Sequence, residues 1–264
     1  MSEFLRTIED GVMRLVINRP DAMNALSTEI MEGLLNSLGE AAHDPKVGCV
    51  VVRGAGNKAF CAGGDVKSMA SGGRHAGWTT EQKIADLRSR MRVSELLHEM
   101  GKPTIAMLNG VAAGAGLSIA LAADMRFAGK SARMTTAFAK IGFSGDFGSH
   151  YFLHKLVGTA KARELYFTSE VLDSAAMEKL GLANRVIEDD KLDAETMAFA
   201  RRLAAGPRIA WWHVKRNMKA AEEGTLAQAL DAEASGMILT GLTDDHKDAA
   251  KAFAEKRPAA FKGR

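Results

Sequence analysis

The chain has 264 residues, with 35 Lys and Arg against 32 Asp and Glu and 47% hydrophobic residues. A net charge of +3 without a basic run excludes the usual electrostatic footprint of a nucleic-acid binder, and the length suits one large globular domain or two small ones. Cys49 and Cys61 are too few for a disulfide framework and sit in apolar stretches. Reduced thiols and a cytoplasmic location are therefore expected. No CxxC, HExxH or spaced His cluster points to a metal.

Two alternating runs, 4–8 and 12–18, flank Asp10-Gly11 and predict a β-hairpin. Ser27 caps a predicted helix over 28–44, with Ile30, Met31, Leu34, Leu35, Leu38 and Ala41 on one face. The β-branched run 47–53 predicts a strand buried on both faces, followed by a loop of small residues over 54–65. Residues 70–80 are rich in Gly and Ser and predict a mobile loop or lid. One helix is expected over 81–100, and a buried strand from Pro103. The stretch 103–124 (PTIAMLNGVAAGAGLSIALAAD) then passes a turn at Gly114, Ala115 and Gly116 into an apolar helix over 117–123. Asn109 and the glycines argue against a membrane span.

Short extended pieces at 126–128 and 133–136 precede a helical second half. Its predicted helices are 149–156, 160–167, 174–179, 192–205, 207–221, 226–239 and 243–253, punctuated by glycines 158, 181, 206 and 224. The strand–helix alternation predicts a parallel sheet with right-handed crossovers. A composition shift near residue 200 divides the chain into a core, 1–200, and a C-terminal helical subdomain, 201–264, of the same folding unit.

Two turns suggest chemistry. Ala62-Gly63-Gly64-Asp65 follows the β-branched strand, and the Gly114 turn opens the apolar helix about 50 residues later. Small residues let a ligand approach the backbone. N–H groups at a helix N-terminus favour an anion or a developing oxyanion. Tight strand–helix packing selects the same residues, but two such turns offer donors to one carbonyl oxygen from two sides.

The segments NRPDAMNALS (18–27), AFCAGGDVKSM (59–69), PTIAMLNGVAAGAGLSIALAADMRFA (103–128) and KIGFSGDFGSHYFLHKLVG (140–158) occur in this order, with GLANRV (181–186) and AFAEKRPAAFKGR (252–264) after them. In these segments the chain resembles the crotonase family, the enoyl-CoA hydratase/isomerase superfamily. The resemblance implies an α/β fold, a crotonase-like ββα spiral whose C-terminal helices trimerise, giving a homo-trimer or hexamer. It implies an acyl-CoA substrate and no cofactor beyond coenzyme A as the thioester carrier. Neither nucleic acid nor a membrane is an expected partner. By position, the resemblance implies an oxyanion hole made by the N–H groups of Gly64 and Ala115. It also implies a coenzyme A path at Asn24, Ala25, Leu26, Ala62, Gly63, Asp65, Lys67 and Gly114, with Asp65 supporting its loop.

Two-carboxylate hydratases of this family place Glu where this chain has Ser118 and Phe138. Paired acid/base carboxylates are therefore missing. Asp146, in FSGDFG, resembles the single Asp of phenylacetate-type isomerases, although Gly145 stands where a Pro is usual. The resemblance thus implies an enoyl-CoA isomerase with Asp146 as acid/base. An Asx-turn or a helix cap before Ser149 is the structural alternative for Asp146. The functional alternatives are an enoyl-CoA hydratase whose water is placed by Ser118 and Asp146, and an acyl-CoA-binding relative without catalysis. His150, His154 and the pair Trp211-Trp212 read as packing residues. Lys256, Arg257 and Lys262 read equally as phosphate contacts or as a solvated charge run.

Overall fold

In the computed structural model, which describes residues 2–65 and 75–264, Asp10 and Gly11 both take positive φ, 50° and 76°. That turn geometry matches the twist of a two-residue hairpin. It joins β1 (Phe4–Glu9) to β2 (Val12–Ile17), antiparallel with Leu5 opposite Val16. Helix α1 (Thr28–His43) follows, its first turn closed by the Ile30 N–H donating to Ser27 Oγ at 3.3 Å. Then come β3 (Cys49–Gly54) and a three-residue strand, β4 (Ala59–Cys61), inside the segment predicted as loop.

The helix expected over 81–100 is two helices, α2 (Thr80–Arg90) and α3 (Arg92–Glu99), separated at Met91. The burial pattern gives the reason. α2 has no buried residue, whereas α3 buries Val93, Ser94 and Leu97. The chain turns at Met91 so that the second piece alone meets the core. Residues 70–74 of the predicted lid, 70–80, lie outside the described residues, as does Lys67. Its end is described: Thr79 forms a capping box with Gln82 at the start of α2.

Next are β5 (Thr104–Leu108), β6 (Val111–Ala113), α4 (Ala115–Ala122), β7 (Met125–Gly129) and β8 (Arg133–Thr135). Helix α5 (Ser149–Thr168) is interrupted at Gly158, whose φ of 75° and ψ of 164° are not helical. The predicted division into two helices at that glycine is therefore observed. After it lie β9 (Leu172–Asp173), α6 (Ser174–Lys179), β10 (Arg185–Ile187), α7 (Leu192–Ala204), α8 (Arg208–Glu223), α9 (Leu226–Gly241) and α10 (Asp244–Ala254). Residue 200 lies inside α7, so the break before the last helices comes at Ala205–Pro207.

The strands form two sheets. The larger has the order β1-β2-β3-β5-β7-β10 and is parallel from β2 onward. The smaller has the order β4-β6-β8-β9. Three times a strand of the larger sheet is followed directly by one of the smaller: β3 then β4, β5 then β6, β7 then β8. Each coil of the chain thus visits both sheets, as a ββα spiral requires. Alternate residues of the larger sheet enter opposite cores. Val12, Cys49, Val51, Ile105, Met107 and Phe127 pack with Met197 and Ala200 of α7. Met13, Leu15, Val50, Val52, Ala106 and Leu108 face α1, α3, α4 and the smaller sheet.

Candidate active site

The smaller sheet brings the two glycine turns together. β4 lies parallel to β6 with Cys61 opposite Ala112, so the residues that leave these strands, Gly63-Gly64 and Gly114-Ala115, emerge side by side at the carboxyl ends. Ligands of parallel sheets characteristically bind at such ends. β8 lies on the other side of β6, with Thr135 opposite Ala113, and delivers Thr136 to Phe138 beside the Gly114 turn.

The contacts are close. A Cβ on Gly116 would lie 2.1 Å from Cys61 O, and one on Gly114 would lie 3.6 Å from the Phe138 ring. Gly114 has φ 53° and ψ −125°, a conformation that glycine enters without steric cost. Ala115 is the first residue of α4, so its N–H has no acceptor within the helix and carries part of the helix's positive end. The Gly64 donor is aimed by a parallel bridge to Leu26, in which Leu26 N–H donates to Gly63 O at 2.8 Å. In a parallel bridge of this kind, the N–H of Gly64 points away from Leu26. Beneath the loop, Gly63 N–H donates to Cys61 Sγ at 3.4 Å, and burial pushes that thiol up to about 12.

The described residues expected along the coenzyme A path are brought to the same loops. Arg19 ties two of them: it pairs with Asp65 at 3.2 Å and donates to Ala25 O at 3.1 Å. Asp65 thus supports its loop. Asn24 has no exposed surface. Its carbonyl accepts from Arg19 N at 3.0 Å, and its amide donates to Ala55 O at 3.0 Å and Ala59 O at 2.7 Å. The Asn24 side chain is therefore spent on holding the loop. Ala25 and Leu26 are buried and Ala62 is half-buried, its N–H donating to Met23 O at 3.0 Å.

Ser118 is fully buried and its hydroxyl donates to Gly114 O at 3.1 Å. It is a helix back-bond, with no proton left to place a water. Phe138 is buried and stacks on Tyr166, ring centroids 6.3 Å apart and planes 9° apart.

Asp146 does not cap a helix. The N-cap of α5 is Gly148, and no side chain closes that end. Instead, the backbone carbonyl of Asp146 accepts from Ser149 N at 3.3 Å and Ser149 Oγ at 3.1 Å. The carboxyl itself is half-buried, and its Oδ1 is shielded from solvent with no hydrogen-bond partner. Burial raises its pKa to about 6. An ordinary structural Asp is satisfied by donors and shifts the other way. A cavity of about 500 Å³ opens beside this loop, between Phe143 and Ser144 on one side and His150 and Tyr166 on the other.

Three residues around Asp146 went unread in the sequence: Ser94, whose hydroxyl donates to Phe147 O at 2.8 Å; Ser149; and Tyr166, whose hydroxyl is hydrogen-bonded to Ser149 Oγ. No local pattern marks them, because their partners come from other turns of the fold. At the C-terminus, Arg257 is paired with Asp248 at 2.7 Å and with Glu255 at 2.8 Å. Trp211 donates to Leu203 O, and the Trp212 ring covers Gly101. Among the described residues no group of His, Cys, Asp and Glu could hold a metal ion, and no helix is long and apolar enough to cross a membrane.

The family description enoyl-CoA hydratase/isomerase matches residues 7–264. The chain is 32% identical over 269 aligned residues, the whole of both chains, to the 1,2-epoxyphenylacetyl-CoA isomerase of Escherichia coli K12. It is 30% identical to the crotonyl-CoA hydratase of Syntrophomonas wolfei over 96% of this chain and 95% of that one. The enoyl-CoA hydratase structure from Bacillus anthracis superposes with a TM-score of 0.91 at 28% identity, covering 99% of this chain and all of the other.

Proposed function

The chain belongs to the enoyl-CoA hydratase/isomerase family, and we propose that within it the protein is an enoyl-CoA isomerase with Asp146 as its acid/base. The observation that carries this reading is the Asp146 carboxyl: its Oδ1 is buried without a partner, and burial raises it to about 6, in a loop whose Phe143 and Ser144 line a cavity. A base with a pKa near the working pH combines availability with driving force. The positions that carry glutamates in two-carboxylate hydratases hold Ser118, whose hydroxyl is consumed, and the buried ring of Phe138. A hydratase with its water placed by Ser118 loses its support there.

In this mechanism the Gly64 and Ala115 N–H groups hold the thioester carbonyl oxygen. Polarising that carbonyl acidifies the adjacent carbon, and the same donors stabilise the enolate as negative charge moves onto oxygen. Asp146 takes the proton from one carbon of the acyl chain. The electron pair left behind delocalises into the enolate and shifts the double bond, and the carboxylic acid returns the proton to a different carbon. Atoms and charge balance with no water consumed.

Asp146→Asn tests the reading on trans-3-hexenoyl-CoA, followed by the absorbance of the conjugated thioester product. Turnover is expected to fall by at least about 10²-fold. A variant working near the wild-type rate would overturn the assignment. In the same assay, loss of absorbance from crotonyl-CoA with a 3-hydroxyacyl product would identify a hydratase instead.

Self-association is part of the same proposal. The C-terminal helices and Leu242, which follows α9, leave Leu226, Met237, Ile238, Leu242 and Phe253 about two-thirds or more exposed, and exposed large apolar side chains of this kind mark association surfaces when they gather in one patch. Sedimentation of a trimer or hexamer is the expected outcome, and a monomer at micromolar concentration would contradict it.

A further inference from the structure

We propose that Tyr166 and Ser149 act as a clamp that positions the Asp146 carboxyl through its backbone, in the place of a rigid residue before the aspartate. This rests on the reading of Asp146 as the acid/base.

The geometry is a relay. Ser149 has one hydroxyl proton, and it is given to Asp146 O at 3.1 Å. The hydrogen bond between Ser149 Oγ and the Tyr166 hydroxyl is therefore donated by Tyr166. The Tyr166 ring stacks with two other rings. Phe138 stacks at 6.3 Å, and His150 stacks at 4.1 Å with planes 13° apart. Phe138 in turn touches the Gly114 turn, so the stack runs from the Ala115 donor to the Asp146 loop. Gly145 has φ +117°, and a Cβ there would lie 2.6 Å from His150 Cε1 and 3.2 Å from the Tyr166 hydroxyl oxygen. The stacked rings thus require glycine before the aspartate. Ser94 holds the following residue by its bond to Phe147 O.

The arrangement answers a chemical conflict. A carboxylate held by donors to its own oxygens has a lowered pKa and occupied lone pairs, and is a poor base. Here the holding bonds go to the carbonyls of residues 146 and 147, and Oδ1 has no protein donor. The loop is fixed while the carboxyl keeps its basicity. The titratable groups against the loop are His150 and Tyr166 on α5 and, on the Phe147–Gly148 side, Arg88, Glu95, His98, Glu99, Tyr151 and Glu223, while the shift of the Asp146 carboxyl itself comes from burial. The Asp146 charge is one of the factors that raise the Tyr166 hydroxyl, after burial.

The test uses Tyr166→Phe and Ser149→Ala in the full-length protein, with Asp146→Asn as reference. Protein labelled with carboxyl-¹³C aspartate is titrated by NMR, the Asp146 signal being the one missing in Asp146→Asn. With the clamp released, the carboxyl gains water and its midpoint moves down from about 6 towards the ordinary value near 4. Turnover of saturating trans-3-hexenoyl-CoA falls about tenfold with little change in KM, as misplacement of a reacting group predicts. A merely structural pair would lower the melting temperature and leave the titration where it was. If Asp146→Asn is inactive while both clamp variants keep the wild-type midpoint and turnover, the clamp is overturned and the reading of Asp146 stands. If Asp146→Asn keeps turnover, the reading of Asp146 falls and the clamp's catalytic role with it.

Discussion

Gly63 faces Ala115 so closely that a Cβ on Gly63 would stand 3.3 Å from the Ala115 nitrogen and 2.9 Å from Ala113 O. The two donor turns are thus registered by direct backbone contact. Gly63 also has φ +95°, and a side chain there costs about 1–3 kcal/mol in strain alone. Gly63→Ala is expected to lower the melting temperature and displace the neighbouring Gly64 donor. Losing one oxyanion donor costs about 10²–10³ in kcat. Steady-state kinetics on an enoyl-CoA, together with a thermal melt, would check this. Unaltered turnover would mean that the turns do not work as a pair.

Asn24 offers a second test, of support without ligand contact. Asn24→Ala leaves Arg19 N and the carbonyls of Ala55 and Ala59 short of a partner, although Ala59 O retains a bond from Asn109 at 3.2 Å. It also puts Ala at φ 56°. Each buried group left unsatisfied costs about 1–3 kcal/mol, so a destabilisation of roughly 2–4 kcal/mol is expected. Urea denaturation measures it. A loss below about 1 kcal/mol would show that water replaces the amide.

The larger sheet, apart from β10 (Arg185–Ile187), was legible in the sequence, from alternation in the hairpin and from β-branched or apolar runs in the buried strands. The run 47–53 and the hairpin at Asp10-Gly11 are long enough for burial to leave a pattern. Of the smaller sheet only β8 was read, as the extended piece at 133–136. β4, β6, β8 and β9 are three residues or fewer, too short for alternation to register, and β4 reads as part of a small-residue loop. Yet this sheet is what places Gly64 beside Ala115. The motif named the two turns, while their proximity depends on the Cys61–Ala112 register. Asp146 was visible as a residue type. Its lack of a partner was not, because it follows from Ser149 and Tyr166, which are 17 residues apart.

Gly145→Pro is expected to weaken the protein, although proline is the usual residue before this aspartate in the relatives that the sequence resembles. Proline fixes φ near −65°, and Gly145 sits at +117° with His150 and Tyr166 against it. The loop would rebuild, releasing the Ser149 contact to Asp146 O. Turnover is expected to fall about tenfold or more, and Gly145→Ala should show a smaller loss of the same kind. Higher activity in Gly145→Pro would indicate that the stacked rings yield to the usual loop.

The Asp146 carboxyl couples stability to pH in a direction opposite to that of most carboxylates. Its pKa is about 6 in the fold against an ordinary value of 3.8, so the folded state binds the proton more tightly than the unfolded chain. The associated stability is fully present below about pH 4 and is lost as pH rises through about 6. Above pH 7 the ionised carboxylate costs the fold on the order of 2–3 kcal/mol, from the shift at 1.36 kcal/mol per pKa unit. Asn carries no charge at any pH in this range. Asp146→Asn should therefore match the wild type in stability near pH 4 and exceed it progressively towards pH 7, measured by chemical denaturation at each pH. A stability difference that does not vary with pH would remove the buried carboxylate from the account. The ionisation that costs stability is the one a proton abstraction needs, so wild-type turnover should rise over the same interval in which the stability advantage of Asp146→Asn appears.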